Sequence, residues 1–165
     1  MRIFNPEYIE AIRKHPAAFF QLMSIKFLHV EIGSCEVAIE VQPKHLQPFG
    51  VVHGGVFATL IDTAAFWAIF PEIDEDKGLT SVDLKLNFLA PAAAGMLIAK
   101  GKKIKTGRTL SLGEAEIRNE KGEILAHGSS TMITLPLSNL VATGTPMPPK
   151  FLDSDEKLGS QKKGG

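Results

Sequence analysis

The sequence predicts an α+β domain: an antiparallel sheet of about five to six strands wrapped around one long central helix, with an extra helix at the N-terminus. Three observations predict it. Residues 54–70 are apolar almost all round, the mark of a helix buried on most sides. Flanking segments place apolar residues at every second position, the period of strands with one buried face. Those segments are joined mostly by short turns, as antiparallel neighbours are.

Asn5-Pro6 supplies a cap and a first-turn proline for a helix that puts Tyr8, Ile9 and Ile12 on one side. His15-Pro16 interrupts it, and a second short turn carries Phe19, Phe20 and Met23. From Ser34 the period becomes two: Cys35, Val37, Ile39 and Val41 alternate with Glu36, Ala38, Glu40 and Gln42 until Pro43. Residues 44–53 form a loop and 54–70 the central helix, closed by Pro71 and the acidic run 72–76 before a turn at Gly78. Val82, Leu84, Leu86 and Phe88 then mark a strand stopped at Pro91. Residues 95–105 and 108–119 flank Thr106-Gly107 as a tight hairpin. In the second of these the apolar phase shifts from Leu110 and Leu112 to Ala115 and Ile117, and Gly113 suggests a bulge. A turn at 119–122 leads to a last strand, 123–135. A single domain over 1–135, with 1–24 as its helical start, is therefore expected. Residues 136–165, rich in Pro and Gly and without periodicity, are expected to form a flexible tail.

Composition removes several classes of function. The 165 residues suit one domain with a real core, and a formal net charge of +0 gives no global attraction to nucleic acid or an anionic membrane. The single Cys35 excludes an intrachain disulfide and a multi-cysteine zinc site, and fits a reducing cytoplasm. Arg2, Glu7, Glu10, Arg13 and Lys14 at the start are unlike a secretory signal. The apolar run 54–71 is broken by Asp62 and reads as too short and interrupted for a membrane span.

The chemistry concentrates in Gln47-Pro-Phe-Gly-Val-Val-His53-Gly54-Gly55, followed by Asp62. Adjacent glycines at a helix mouth leave backbone N–H donors unobstructed, in the positive end of the helix dipole. Asp62 stands among Leu60, Ile61, Ala64, Ala65, Phe66 and Trp67, where a carboxylate needs a reason. Oxyanion donors and such a carboxylate are what hydrolysis of an acyl group requires. Along a helix, however, Gly55 and Asp62 are separated by roughly 10 Å. Attack on a bound carbonyl needs about 3–3.5 Å. One chain therefore cannot complete the site, and two antiparallel helices related by a two-fold axis can, giving two equivalent sites.

Each residue also has a plainer reading. Asp62 can be a buried acid satisfied by Ser81, which alternatively orients a water toward it. His53 invites a general-base reading, but a helix-start His beside two glycines better suits a positioning role that orients the loop. Gln47 can donate to a carbonyl or hold a water, or be a loop amide bonded to backbone. Lys100, Lys102, Lys103, Lys105 and Arg108, straddling Gly107, form either a solubilising edge or a landing site for phosphates. Phe57, Phe66 and Phe88 are candidates for an acyl pocket. His29, His45 and His127 lack zinc-ligand spacing relative to His53, and no Gly-x-Ser-x-Gly elbow supports a serine triad.

From about His45 to Leu135 the chain resembles the hotdog-fold thioesterases, of the phenylacetic-acid-degradation (PaaI-like) type that cleaves acyl-coenzyme A. The residues that carry this are His45-Leu-Gln-Pro-Phe-Gly-Val-Val-His-Gly-Gly55, Ala58-Thr-Leu-Ile-Asp62, Thr80-Ser-Val-Asp-Leu, Phe88-Leu-Ala-Pro91, Gly107-Arg108 and Gly122-Glu-Ile-Leu-Ala126. The resemblance implies dimers with a continuous sheet, and commonly tetramers. It implies that Asp62 activates water or attacks the thioester, that an amide at Gly54 or Gly55 polarises the carbonyl, and that Ser81 helps position the water. At Gln47 many PaaI-like members carry Asn, whereas some related hydroxybenzoyl-CoA thioesterases carry Gln. The expectation is a cytoplasmic homodimer or homotetramer that hydrolyses acyl-CoA, with CoA phosphates near Lys103, Lys105, Gly107 and Arg108. It needs no metal or organic cofactor and engages neither nucleic acid nor membrane. The alternative is a non-catalytic acyl-CoA-binding or ligand-sensing protein on the same fold.

Overall fold

A computed structural model describes residues 3–140 and 146–153. A two-residue strand, β1 (Ile3–Phe4), leads into α1 (Pro6–Lys14). Asn5 caps α1 by accepting the Glu7 N–H at 3.0 Å. After the His15-Pro16 break comes α2 (Ala18–Met23), which ends at Ser24 in the left-handed conformation.

The next element, β2 (Lys26–Glu31), is not evident from the sequence period. Its pairing with β3 (Ser34–Glu40) shifts register between Phe27 and His29, so Phe27 is buried while Leu28 lies exposed. An irregular edge strand leaves no clean alternation to read. Arg13 of α1 covers that edge, donating to the carbonyls of Phe27 at 3.0 Å and Leu28 at 3.1 Å.

The central helix, α3 (Gly54–Ile69), is followed by β4 (Lys77–Phe88), β5 (Met96–Lys105), β6 (Leu110–Asn119) and β7 (Ile124–Pro136). With β2 and β3 these make one six-stranded antiparallel sheet in the order β2-β3-β5-β6-β7-β4. Leu60, Ile61, Ala64, Ala65, Ala68 and Ile69 of α3 are wholly buried against it. By length and composition alone, the segment from Gly54 to Glu72 is apolar enough to cross a membrane, with mean hydropathy 1.4. Its burial, rather than the interruption at Asp62, accounts for that composition: 61% of the window lies inside the fold.

Glycines set how closely the helix approaches. A Cβ on Gly101 of β5 would lie 2.0 Å from the Ala64 carbonyl oxygen, and one on Gly113 of β6 would lie 3.0 Å from that of Ala65. The expected bulge at Gly113 is thereby corrected. Ser111, Gly113, Ala115 and Ile117 keep one buried face without a phase shift. The irregularity sits on β5, between Lys103 and Lys105, where Ile104 is the extra residue. Gly113 is there for the helix.

β4 forms the other edge of the sheet. A register shift between Ser81 and Asp83 turns Val82 outward, and Val82 and Phe88 are 57% and 59% exposed. The expected regular alternation from Val82 to Phe88 therefore holds only at Leu84 and Leu86, which are half-buried.

The expected flexible tail is corrected for residues 146–153. β8 (Phe151–Leu152) pairs antiparallel with β1. Lys150 is buried, its Nζ donating to the Ile73 carbonyl at 2.6 Å and lying 3.7 Å from the centre of the Phe70 ring. The Asn5 amide side chain donates to Pro149 O at 2.8 Å, and the Lys150 N–H donates to Glu75 at 2.9 Å. This strap ties residues 149–152 to residues 3–5 beside the C-terminal end of α3. Its bonds are mostly to backbone, which leaves no periodicity in sequence. Residues 141–145 and 154–165 of the expected tail lie outside the described residues.

Candidate active site

The loop before α3 is fixed from both sides. His45 is buried; its Nδ1 accepts the Gln42 N–H at 3.0 Å, so its Nε2 carries the proton donated to Met23 O at 3.0 Å. The His53 N–H reaches His45 O at 2.8 Å, and the Val52 N–H reaches Ala92 O at 2.7 Å. His45 is thus a tie between the loop and helix α2, with both ring nitrogens engaged.

His53 caps α3. Its backbone is extended, and its Nδ1 accepts the Gly55 N–H at 2.8 Å. The Val56 N–H returns to His53 O at 2.9 Å. The two glycine amides, equivalent in sequence, are therefore unlike: Gly55's is occupied by the imidazole, and Gly54's has no partner among the described residues. Gly54 opens on a cleft of ≈ 430 Å³ lined by Gln47, Val52, Phe57, Phe88, Leu89, Ala90 and Pro91. The Gln47 side-chain oxygen accepts the Phe49 N–H, which leaves its NH₂ group as a donor on the wall of this cleft.

Phe57 and Phe88 stack across the cleft with ring centres 6.2 Å apart. Phe66, expected beside them, is elsewhere: it stacks on Phe70 at 5.3 Å, further along the helix. One chain brings together two of the three proposed pocket aromatics.

Asp62 is half-buried and does not line this cleft. Ser81 Oγ donates to its Oδ1 at 2.7 Å. Ser130 Oγ, wholly buried on β7, donates to the same oxygen at 2.9 Å and lies 3.2 Å from Ser81 Oγ. Oδ2 has no partner among the described residues. The contact with Ser81 was expected; Ser130 was missed. Its signal was available, because it falls on the inward phase of β7 with Gly128 and Met132, where a hydroxyl needs a partner.

The basic hairpin lies at the far end of α3, about 24 Å of helix from Gly54. Lys103 is committed there: its Nζ meets Glu72 at 2.9 Å, and the Thr106 hydroxyl donates to the same oxygen at 2.5 Å. Thr106 first, and Lys103 with it, hold the Glu72 carboxyl below the usual carboxylate range against the opposing effect of burial. Lys100 pairs with Glu36 at 2.9 Å, and the Gly107 N–H donates to Ser111 at 3.3 Å. Lys105 and Arg108 are exposed. The chain does not bring this cluster to its own cleft. Cys35 is buried in the core, and burial pushes its thiol far above the ordinary value, so it is not an available nucleophile. Among the described residues, no group of three His, Cys, Asp or Glu side chains is placed to hold a metal.

The arrangement offers an open amide donor in one place and an anchored carboxylate with one bare oxygen in another. Comparisons with known proteins bear on what such a pair does. The sequence model of the thioesterase superfamily matches residues 49–126, a span that contains Gly54, Asp62 and Ser81. The 1,4-dihydroxy-2-naphthoyl-CoA hydrolase of Listeria monocytogenes is 30% identical over 112 residues, 68% of this chain and 91% of that protein. Human acyl-coenzyme A thioesterase 13 is 27% identical over 127 residues, 76% of this chain and 90% of that protein. Among solved structures, the thioesterase HI1161 of Haemophilus influenzae superposes with a TM-score of 0.76 at 24% identity, covering 83% of this chain and 96% of that one. At that identity the structural likeness speaks for the fold.

Proposed function

The chain belongs to the thioesterase superfamily, and from that premise we propose that it hydrolyses acyl-CoA to free acid and coenzyme A in a site shared between two copies of the chain. The carrying observation is that the Gly54 donor and Asp62 occupy separate places. They are eight residues apart on one helix, about 12 Å along its axis, and Asp62 is absent from the cleft wall. The exposed β4 edge, with Val82 and Phe88 outward, offers the surface on which a second copy completes the site.

In this reading the thioester carbonyl lies in the cleft and accepts hydrogen bonds from the Gly54 N–H and the Gln47 NH₂. These donors strengthen as negative charge grows on the oxygen, an effect worth on the order of 2.7–4 kcal/mol per donor in other hydrolases. Asp62 of the second copy takes a proton from water as its oxygen adds to the carbonyl carbon. The C–S bond then breaks, its electron pair leaves with sulfur, and the thiolate takes up the proton. The alternative has the carboxylate itself attack to give an anhydride that water opens. Single-turnover hydrolysis in oxygen-18 water separates them, because label enters Asp62 only on the second route. Coenzyme A phosphates would meet the exposed Lys105 and Arg108 at the helix end that an antiparallel partner brings to the cleft. Phe57 and Phe88 would flank the acyl group.

A panel of acyl-CoAs with a thiol-detecting assay tests the reading. Thiol release on at least one member, falling at least about a hundredfold in Asp62→Asn with the oligomer intact, is the expected result. Tight acyl-CoA binding without thiol release would instead identify a binding protein. Parental rates in Asp62→Asn would remove Asp62 from the chemistry.

A further inference from the structure

We propose that Ser130 is a positioning residue for this hydrolysis: with Ser81 it clamps one oxygen of Asp62, so that the other, Oδ2, is the one that reacts. The inference rests on the reading of Asp62 as the catalytic carboxylate.

A carboxylate on its Cβ–Cγ bond is a broad two-fold rotor, and a single hydrogen bond does not decide which oxygen faces substrate. Here two hydroxyls converge on Oδ1, at 2.7 and 2.9 Å, from strands β4 and β7. These strands are neighbours, with Ser81 opposite Met132 and Leu84 opposite Ser130. The clamp therefore belongs to the sheet rather than to a loop. The two serines are not equivalent. Ser81 is exposed, whereas Ser130 is wholly buried and held in place by its strand neighbours on both sides. Ser130 Oγ also lies 3.2 Å from Ser81 Oγ, so the two hydroxyls approach the same carboxylate oxygen side by side. Its own proton has a closer acceptor in the carboxylate than in Ser81. Removing it leaves Asp62 with one solvent-side partner and frees the carboxylate to turn.

A residue that acts in this way changes the chemical step and not substrate affinity, and its effect vanishes when Asp62 is gone. Single-turnover and steady-state rates for Ser130→Ala, Asp62→Asn and the double variant test both points. Ser130→Ala is expected to lower kcat about tenfold with KM within about twofold, and to leave the residual rate of Asp62→Asn unchanged. Where the alanine variant fails to fold, Ser130→Cys fills the site with a larger and weaker donor, and a loss of kcat in the same direction is expected in it. Near-parental kcat in a folded Ser130 variant overturns the proposal. So does an equal fractional loss in the parental and Asp62→Asn backgrounds, which marks Ser130 as merely structural. Parental rates in Asp62→Asn alone overturn the underlying reading, and that outcome is recognised without reference to Ser130.

Discussion

At Gly54 and Gly55 a single imidazole separates two amides that the sequence presents as a pair. His53 Nδ1 takes the Gly55 N–H, so it stabilises the start of α3 and leaves the Gly54 N–H open. His53→Ala should therefore lower stability by about 1 kcal/mol, read as a shifted urea midpoint at unchanged m-value. A parental midpoint would mean that the cap contributes nothing. The Gly-Gly to Asp62 spacing, and the conclusion that those groups do not meet in one chain, were legible because helix geometry fixes both. The contact between Ser81 and Asp62 was legible as one of two readings. Ser130 could be read as an inward hydroxyl in need of a partner, but the partners of His45 and Ser130 were not legible, because each is distant in sequence: Met23 for His45 and Asp62 for Ser130. Residue type alone does not reveal a partner 68 positions away.

Elements were readable where their hydrophobic period was clean. α3, β3 and β7 each bury one face or nearly all of one, and their extents follow from composition and from the prolines that stop them. β2 escaped because a register shift breaks its alternation, and the outward turn of Val82 in β4 escaped for the same reason. Gly113 misled by its type: glycine in a strand marks either a bulge or a close backbone approach, and here it is the approach of α3. The tighter of the two contacts yields a prediction. Gly101→Ala would put a methyl group 2.0 Å from the Ala64 carbonyl oxygen, and both atoms belong to rigid elements. Stability should fall by at least the ~1–3 kcal/mol usual for overpacking, measured by chemical denaturation. A loss under about 0.5 kcal/mol would show that α3 can lift from the sheet without penalty.

For the whole molecule, the strap of residues 146–153 closes the fold outside the span that matches the superfamily. It buries Lys150, whose amine is pushed down to about 8 by burial, against Asp74 and Glu75, which favour its charge. The folded protein thus loses this proton near pH 8, and the unfolded chain only near 10.4. Between those values the unfolded state holds more protons, so stability rises with pH. The useful window ends near pH 10, where Tyr8, its phenol raised by burial and by Glu75, begins to titrate in the unfolded chain with the opposite sign. Urea midpoints should climb from pH 8 to 10 in the parent and climb less in Lys150→Met; identical slopes would contradict a strained charge at that site. The larger claim is that two chains make one site, and hybrid oligomers test it most directly. Gly54→Pro suits this because Gly54 is the first helical residue and His53 before it is already extended, so proline removes the donor where a helix tolerates it. The ring it would meet, Phe88, is an exposed side chain with room to move. Gly54→Pro and Asp62→Asn chains, each inactive alone, are co-expressed with different tags and the mixed oligomer is purified through both. A shared site predicts about half of the parental turnover per dimer, since one of its two sites regains both groups. No recovery in a demonstrated mixed dimer would contradict it.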